Sequence, residues 1–266
     1  TERNHPWCYR PHCSDPAPRP HQSPAPVFPL DILRRKSHDH IHYLTFLKGV
    51  LGMLRNPEGT ESVFDIEDGL MDIEAARNVV DRVRRDPGVC ALLTERYLAD
   101  PVDIEALAKL PVGSLGHAFA HHILDHGFDP DYYRKLDVRE DQDWVLMRMR
   151  QTHDIWHVVT GIDTSREGEL AVKAFELAQT WRPLAAVITA GGMMRFLFKD
   201  PDRLGIVMAH IAHGYSLGQR ASALLAQRWE LGWSEPLVHW RARVGLPADP
   251  TAELATQLAR LPVVDG

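Results

Sequence analysis

The chain has 266 residues, of which 44% are hydrophobic and 25% are charged, as is typical of a folded globular protein. Its formal net charge of −6 argues against a nucleic-acid-binding protein, since such proteins present a basic surface. No apolar run approaches the roughly 18 residues that a membrane-spanning helix needs, which excludes a helical integral membrane protein.

Proline and histidine dominate the first 29 residues, which contain few aliphatic side chains. A segment of this composition cannot bury a core, so we predict a disordered tail over residues 1–29 and one domain over residues 30–266. The tail lacks an apolar signal core, and its prolines oppose the amphipathic helix of a mitochondrial presequence. We therefore expect a bacterial, cytoplasmic protein.

Apolar residues recur at helical spacing from residue 30 onward, and patterns typical of strands are weak. We therefore predict an all-α fold, a single multi-helix domain. The first apolar stripe consists of Leu44, Leu47, Val50, Leu51 and Leu54. The following helices are predicted over residues 73–84, 103–110, 115–126, 141–160, 165–181, 184–198 and 201–229.

Residues with known preferences at helix ends set several of these boundaries. The run Asp86-Pro87-Gly88 is expected to end the helix over 73–84. Gly127 and Gly161 each fit the position just after a helix, where a left-handed backbone is common. Thr164 and Glu167 are expected to form a capping box at the start of the helix over 165–181.

The helix predicted over residues 141–160 carries His153, Asp154 and His157. The two histidines are four positions apart and therefore lie one turn apart on the same face, and Asp154 borders that face. A carboxylate on the next helix, Glu169, could close a mixed nitrogen and oxygen site around a divalent metal.

Other interpretations of these residues stay open at this level. Glu169 falls opposite the apolar stripe of its helix and could be a solvated residue paired with Lys173. Glu167 lies nearer the apolar side and would then be the alternative ligand. The remaining histidine pairs at helical spacing are interpreted as structural or solvated: His117 with His121, and His210 with His213.

The segment His153-Asp154-x-x-His157-x11-Glu169 resembles the zinc-binding signature H-D-x-x-H-x11-E of the Coq4 family of ubiquinone (coenzyme Q) biosynthesis proteins. The resemblance covers about residues 44–246. It extends to neighbouring segments: R-x-R at 148–150, G-E-L-A at 168–171, L-P-V-G-S-L-G at 110–116 and G-Y-x-x-G at 214–218.

The resemblance implies an all-helical fold with four metal-site residues, His153, Asp154, His157 and Glu169, and it favours Glu169 over Glu167. Zinc is the expected metal, with iron, manganese and cobalt as alternatives, because availability in the cell can override intrinsic affinity.

The resemblance further implies a lyase of ubiquinone biosynthesis that removes the carboxylate at C1 of a polyprenyl-hydroxybenzoate, with or without coupled oxidation. In that reaction Asp154 and Glu169 are candidate proton carriers, and Arg150 is a candidate clamp for the substrate carboxylate.

Two other functions remain as alternatives. A non-catalytic module could present the prenylated lipid to other ubiquinone-biosynthesis enzymes, with zinc as a structural element. An HD-type metal phosphohydrolase would need His117 or His121, together with Asp200, to converge on the metal.

The helix predicted over 184–198 contains Gly191 and Gly192, which each destabilise a helix by about 1 kcal/mol relative to alanine. Either close helix packing or a groove for an isoprenoid tail explains them. A protein that handles such a lipid must visit a membrane, so we expect peripheral attachment to the inner face of the cell membrane. Whether the chain is a monomer or a homodimer stays open.

Overall fold

A computed structural model describes residues 39–55, 60–70, 73–129 and 136–261. The tail predicted over residues 1–29 lies outside these residues and stays a prediction. The described helices are α1 (Asp39–Arg55), α2 (Thr60–Leu70), α3 (Glu74–Val83), α4 (Pro87–Glu95), α5 (Ile104–Ala108), α6 (Leu115–His126), α7 (Asp141–Thr160), α8 (Arg166–Thr180), α9 (Pro183–Lys199), α10 (Leu204–Arg220), α11 (Leu237–Arg243) and α12 (Ala252–Leu258).

The all-α prediction is confirmed, since the described residues form helices joined by turns and loops without a strand. The helices α6 and α7 begin and end where the sequence predicts. Gly127 and Gly161 follow them with φ angles of 66° and 68°, the left-handed backbone that glycine adopts without strain.

The prediction for Asp86-Pro87-Gly88 is wrong in part, because this run also starts a helix that the sequence analysis missed. The Asp86 carboxylate accepts hydrogen bonds from the backbone N–H groups of Gly88, at 2.9 Å, and Val89, at 3.1 Å. Pro87 occupies the first helical position, where its missing N–H costs nothing. The run is therefore the N-cap of α4. The helix α2 was likewise missed.

The capping box predicted for Thr164 and Glu167 is also wrong. Ser165 is the N-cap of α8, and its Oγ accepts a hydrogen bond from the backbone N–H of Gly168 at 3.1 Å. Glu167 instead pairs with Arg203 at 2.6 Å.

The helix predicted over residues 201–229 is too long at its C-terminal end. It ends at Arg220, because Ala221 is extended with φ −71° and ψ 143°. Short 3₁₀ turns then follow at Leu224–Ala226 and Trp229–Leu231.

The helix α7 runs through the main core, with Trp144, Met149 and Trp156 all buried on it. The helices α8 and α10 pack with their backbones in contact. A Cβ atom added at Gly214 would lie 2.6 Å from the carbonyl carbon of Ala171, and one at Gly218 would lie 2.7 Å from the carbonyl oxygen of Phe175. These two glycines therefore fix how closely α8 lies against α10.

The apolar stripe predicted on α1 does not enter the core as a whole. The exposed fractions of Leu44, Leu47 and Leu51 are 72%, 51% and 51%. Instead, α1 meets α2 through Gly49, where an added Cβ atom would lie 2.7 Å from the backbone nitrogen of Ile66. Close pairing with α2 thus turns part of the leucine stripe toward solvent. Within the described ranges, no helix has both the length and the apolar character that crossing a bilayer requires.

Candidate metal centre

Three of the four predicted metal-site residues converge in the structure. His153 and His157 come from α7 and Glu169 comes from α8, and each offers a ligand atom that lies within 4.8 Å of the others. His157 Nε2 is 3.3 Å from Glu169 Oε1, and the centres of the two imidazole rings are 5.0 Å apart. Two imidazoles and a carboxylate are a donor set that suits a divalent transition metal.

The corner between α7 and α8 brings Glu169 to the histidines. Gly161 ends α7 with a left-handed turn, and the Ser165 cap starts α8 four residues later. Gly168 lies directly against this corner, since an added Cβ atom would be 2.9 Å from the carbonyl carbon of Asp163. The tight corner places Glu169 in the first turn of α8, beside the last turns of α7.

The tautomer of His157 is set by a backbone group at the same corner. Its Nδ1 lies 2.9 Å from the carbonyl oxygen of Ile162, which can accept a hydrogen bond and cannot donate one. Nδ1 therefore carries the proton, and Nε2 presents its lone pair toward Glu169 when the ring is neutral. This backbone support is the kind of contact that orients metal-binding histidines.

Without a metal, the side chains of His157 and Glu169 each favour the charged form of the other. Burial alone would raise the pKa of Glu169, but the hydrogen bond from His157 and the charges of His153 and Lys173 lower it to about 2. Burial alone would lower the pKa of His157, but the hydrogen bond and charge of Glu169, the Ile162 carbonyl and the charge of Asp154 together outweigh burial and raise it. A metal ion would have to displace the proton that this pair holds.

Asp154, the fourth predicted residue, lies outside the converging group but beside it. Its Oδ1 is 3.4 Å from Nδ1 of His153. Burial raises the pKa of Asp154, and the contact with His153 together with the charges of His153 and His157 outweighs burial and lowers it. Asp154 is therefore an ionised carboxylate that steadies His153.

Arg150, the predicted clamp, is already engaged. Its guanidinium forms an ion pair with Glu67 of α2 and lies over the ring of Phe64, with 5.4 Å between Cζ and the ring centre. Both Arg150 and Glu67 are largely buried in this pair.

The ion pair of Arg150 belongs to a longer charge network. Glu67 also contacts Arg182, whose Nη1 lies 2.9 Å from Glu176 Oε1. Glu176 in turn accepts a hydrogen bond from Lys173 Nζ at 2.9 Å. Three cations thus share two carboxylates, and the network joins α2, α7 and α8 to the start of α9.

A cavity of about 840 Å³ lies next to the candidate metal centre. Its volume is within the range of small-molecule and cofactor sites. His153, Asp154 and Glu169 contribute to its wall, as does the whole charge network. Its apolar wall comes mainly from α9 and α2 and includes Val63, Phe64, Leu184, Ile188 and Phe196.

The two glycines of α9 both line this cavity. Gly192 also packs tightly, since an added Cβ atom would lie 2.8 Å from Leu170 Cδ1. At Gly192 close packing and the opening of a groove therefore occur together, and the two explanations offered by the sequence are not exclusive.

His122 was missed by the sequence analysis. Its ring, on α6, stacks on that of His157 with 5.6 Å between the ring centres. Burial, followed by the charge of His157, lowers the pKa of His122 to about 4, so this ring is neutral near pH 7. The spacing of His122 and His126 at i and i+4 was a signal of the same kind as that of the ligand pair.

The remaining histidines of the phosphohydrolase interpretation do not join the site. Among the described residues the converging group consists of His153, His157 and Glu169, and it includes neither His117 nor His121. The geometry therefore lends that interpretation no support.

Comparisons with known proteins agree with the motif. A family model described as "Coenzyme Q (ubiquinone) biosynthesis protein Coq4" matches residues 42–250. The chain is similar to the mitochondrial ubiquinone biosynthesis protein COQ4 homolog of Xenopus laevis, with 28% identity over 65% of this chain and 61% of that protein. It is also similar to the Bos taurus homolog, with 29% identity over 64% of this chain and 65% of that protein. The chain thus spans less than two thirds of the length of these relatives.

A crystal structure with a similar fold is also known. The crystal structure of a protein from Nostoc punctiforme, which its description assigns to ubiquinone biosynthesis, matches with a TM-score of 0.72 and 33% sequence identity. The match covers 79% of this chain and 99% of that one.

Proposed function

The chain belongs to the Coq4 family of coenzyme Q (ubiquinone) biosynthesis proteins, and we propose that it catalyses the metal-dependent C1 decarboxylation of a polyprenyl-hydroxybenzoate. One observation carries the proposal: the converging group of His153, His157 and Glu169 lies beside a cavity of about 840 Å³ with a long apolar wall. A polar reacting ring at the metal group and an isoprenoid tail along α9 would use both parts of this cavity.

The donor set fits a divalent ion, and His153, His157 and Glu169 would hold it. When bound, the ion supplies Lewis-acid stabilisation of negative charge that develops on the substrate. His157 is held for this role by the Ile162 carbonyl, and Asp154 steadies His153.

The reaction also needs a proton at the ring. The carboxylate leaves as CO₂, the electron pair of the broken bond stays on C1, and a proton must reach that carbon. Asp154 and Glu169 both line the cavity, and their lowered pKa values keep them ionised near neutral pH. We propose that one of them accepts a proton from the substrate hydroxyl or water and passes it to C1.

A prenylated substrate resides in a membrane, so the protein must contact a membrane surface to obtain it. The exposed Leu44, Leu47 and Leu51 on α1 support peripheral attachment, because an exposed apolar helix face can lie in the lipid interface. The curated relatives are named as mitochondrial. The bacterial cytoplasmic location expected from the sequence remains a prediction, as do contacts with other ubiquinone-biosynthesis enzymes and a homodimer.

The alternative is a non-catalytic module that presents the prenylated lipid, with zinc as a structural element. The observation in its favour is that Arg150, the expected carboxylate clamp, is held by Glu67.

Turnover by purified, zinc-loaded protein distinguishes the two functions. Mass spectrometry would follow a geranyl-hydroxybenzoate, with His157→Ala as the inactive variant and exposed His239→Ala as the matched control. We expect loss of the carboxyl mass with wild type and His239→Ala, and none with His157→Ala. An added oxygen in the product would show coupled oxidation. Unchanged substrate recovered bound, with zinc, iron, manganese or cobalt and with oxygen present, would instead support the presenting module.

A further inference from the structure

We propose that Lys173 binds the carboxylate of the aromatic head group and so positions it against the metal group. The choice of an aromatic acid as ligand rests on the proposed function. The assignment of Lys173 to the anion rests on the geometry and charge of the cavity.

Lys173 is on the same face of α8 as the metal-site carboxylate. It follows Glu169 by four residues, or about one turn, and both line the cavity. Glu176 continues this face by a further turn and holds the ammonium group at 2.9 Å. A ligand that meets the metal group therefore meets Lys173 next along α8.

The ammonium group of Lys173 has N–H donors available for a ligand. Lysine has three N–H donors, and Glu176 is the hydrogen-bond partner that the structure gives Lys173 among the described residues. Burial lowers the pKa of Lys173, but Glu176, Glu169 and Asp154 outweigh it and raise it. The group therefore stays charged in a largely buried position, where a bond to an anion is strong.

The charge of the whole cavity favours an anion once a metal is bound. Its lining has five acidic side chains, namely Glu67, Asp129, Asp154, Glu169 and Glu176. It also has five basic ones, namely Arg150, Arg166, Lys173, Arg182 and Arg195. The lining is formally neutral with neutral histidines, so a divalent ion makes it positive by two charges. A carboxylate, with or without an ionised ring hydroxyl, matches that charge.

Lys173 suits this role better than Arg150. Lys173 lies one helical turn from Glu169, and both side chains line the cavity. Arg150 is held in an ion pair by Glu67, on the far side of the network from Lys173. The network then has a structural purpose, because Arg182 holds Glu176 and Glu176 holds Lys173.

The test compares binding of two probes to the zinc-loaded full chain by titration calorimetry. One probe is a geranyl-hydroxybenzoate and the other is the geranyl-phenol that lacks the carboxyl group. We expect wild type to prefer the acid and Lys173→Met to lose about tenfold of that preference, as expected for a lost charge-assisted hydrogen bond. Lys173→Arg should recover part of the preference, and exposed Lys199→Met should keep all of it.

A double variant guards against misfolding. Lys173→Met removes one partner of buried Glu176 and leaves its negative charge in excess. The double variant Lys173→Met/Glu176→Gln removes both charges, so the preference for the acid is measured in it as well. An unchanged preference for the acid in a folded Lys173→Met or double variant, or no preference in wild type, would overturn the inference.

The test also separates this inference from the proposed reaction. A preference that depends on Lys173 without any loss of CO₂ would support the binding role and count against the decarboxylase. Decarboxylation together with a preference for the acid that does not depend on Lys173 would support the decarboxylase and count against the binding role of Lys173.

Discussion

Substitution of Gly214 by alanine tests whether contact between the backbones of α8 and α10 holds the metal centre together. The new Cβ would lie 2.6 Å from the carbonyl carbon of Ala171, which is backbone and cannot rotate away. Relief to an ordinary contact of about 3.5 Å requires the helices to separate by roughly 1 Å. Overpacking of this kind costs about 1–3 kcal/mol, and we expect the upper end because the neighbour is backbone.

Thermal unfolding of the zinc-free protein measures that cost. A loss of about 3 kcal/mol should lower Tm by roughly 6–12 °C in a chain of this size. Zinc affinity should fall as well, since Glu169 moves with α8. Gly205→Ala on the same helix is the matched control, because its Cβ would meet Leu261 at an ordinary 3.7 Å. A Gly214→Ala protein as stable as wild type, or equal losses in both variants, would refute the reasoning.

Two further predictions follow from buried charges. Zinc affinity should fall as pH is lowered, because protons and zinc compete for Nε2 of His157, whose pKa is raised above 6.5 by Glu169. Zinc titrations between about pH 5.5 and 8 measure this dependence. A zinc affinity that does not change with pH would count against His157 as a ligand. Arg148→Ala should destabilise the protein by about 3–5 kcal/mol in urea unfolding, because it leaves Glu230 without its buried partner. Arg220→Ala, which breaks an exposed pair with Glu253, should change stability little, and equal losses would contradict this account.

Signals from residues close in sequence were sufficient to predict α6, α7 and the pairing of His153 with His157. Gly127 and Gly161 end their helices by backbone preference alone, and the spacing of His153 and His157 places both rings on one face in any helix. Such features depend on residues within a few positions of one another, so they could be predicted without knowledge of the fold.

Tertiary packing decided the features that the sequence left open. Glu169 lies opposite the apolar stripe of α8, yet it meets His157 because α8 is covered by α10 on one side and by the end of α7 on another. Lys173 pairs with Glu176, three positions further along α8, instead of Glu169. Ser165 and Thr164 can both cap a helix, and the corner selects Ser165.

Pairs that are distant in sequence could not be predicted at all. Arg150 matches the expected position of a substrate clamp, but its partner Glu67 comes from α2, which the sequence analysis missed. The exposed leucines of α1 show the same limit, because an apolar stripe indicates an apolar surface and does not identify what covers it.

The hydrogen bond from His157 to the carbonyl of Ile162 makes the candidate metal centre largely self-contained. The segment 153–169 supplies both imidazoles, the carboxylate, the group that selects the tautomer and the Ser165 cap that starts the second helix. What the segment lacks is a support that keeps its two helices at a fixed angle, and α10 provides that support here. The segment is therefore a portable helix–corner–helix unit, which could be grafted onto another helical scaffold that offers a glycine-lined surface for its second helix.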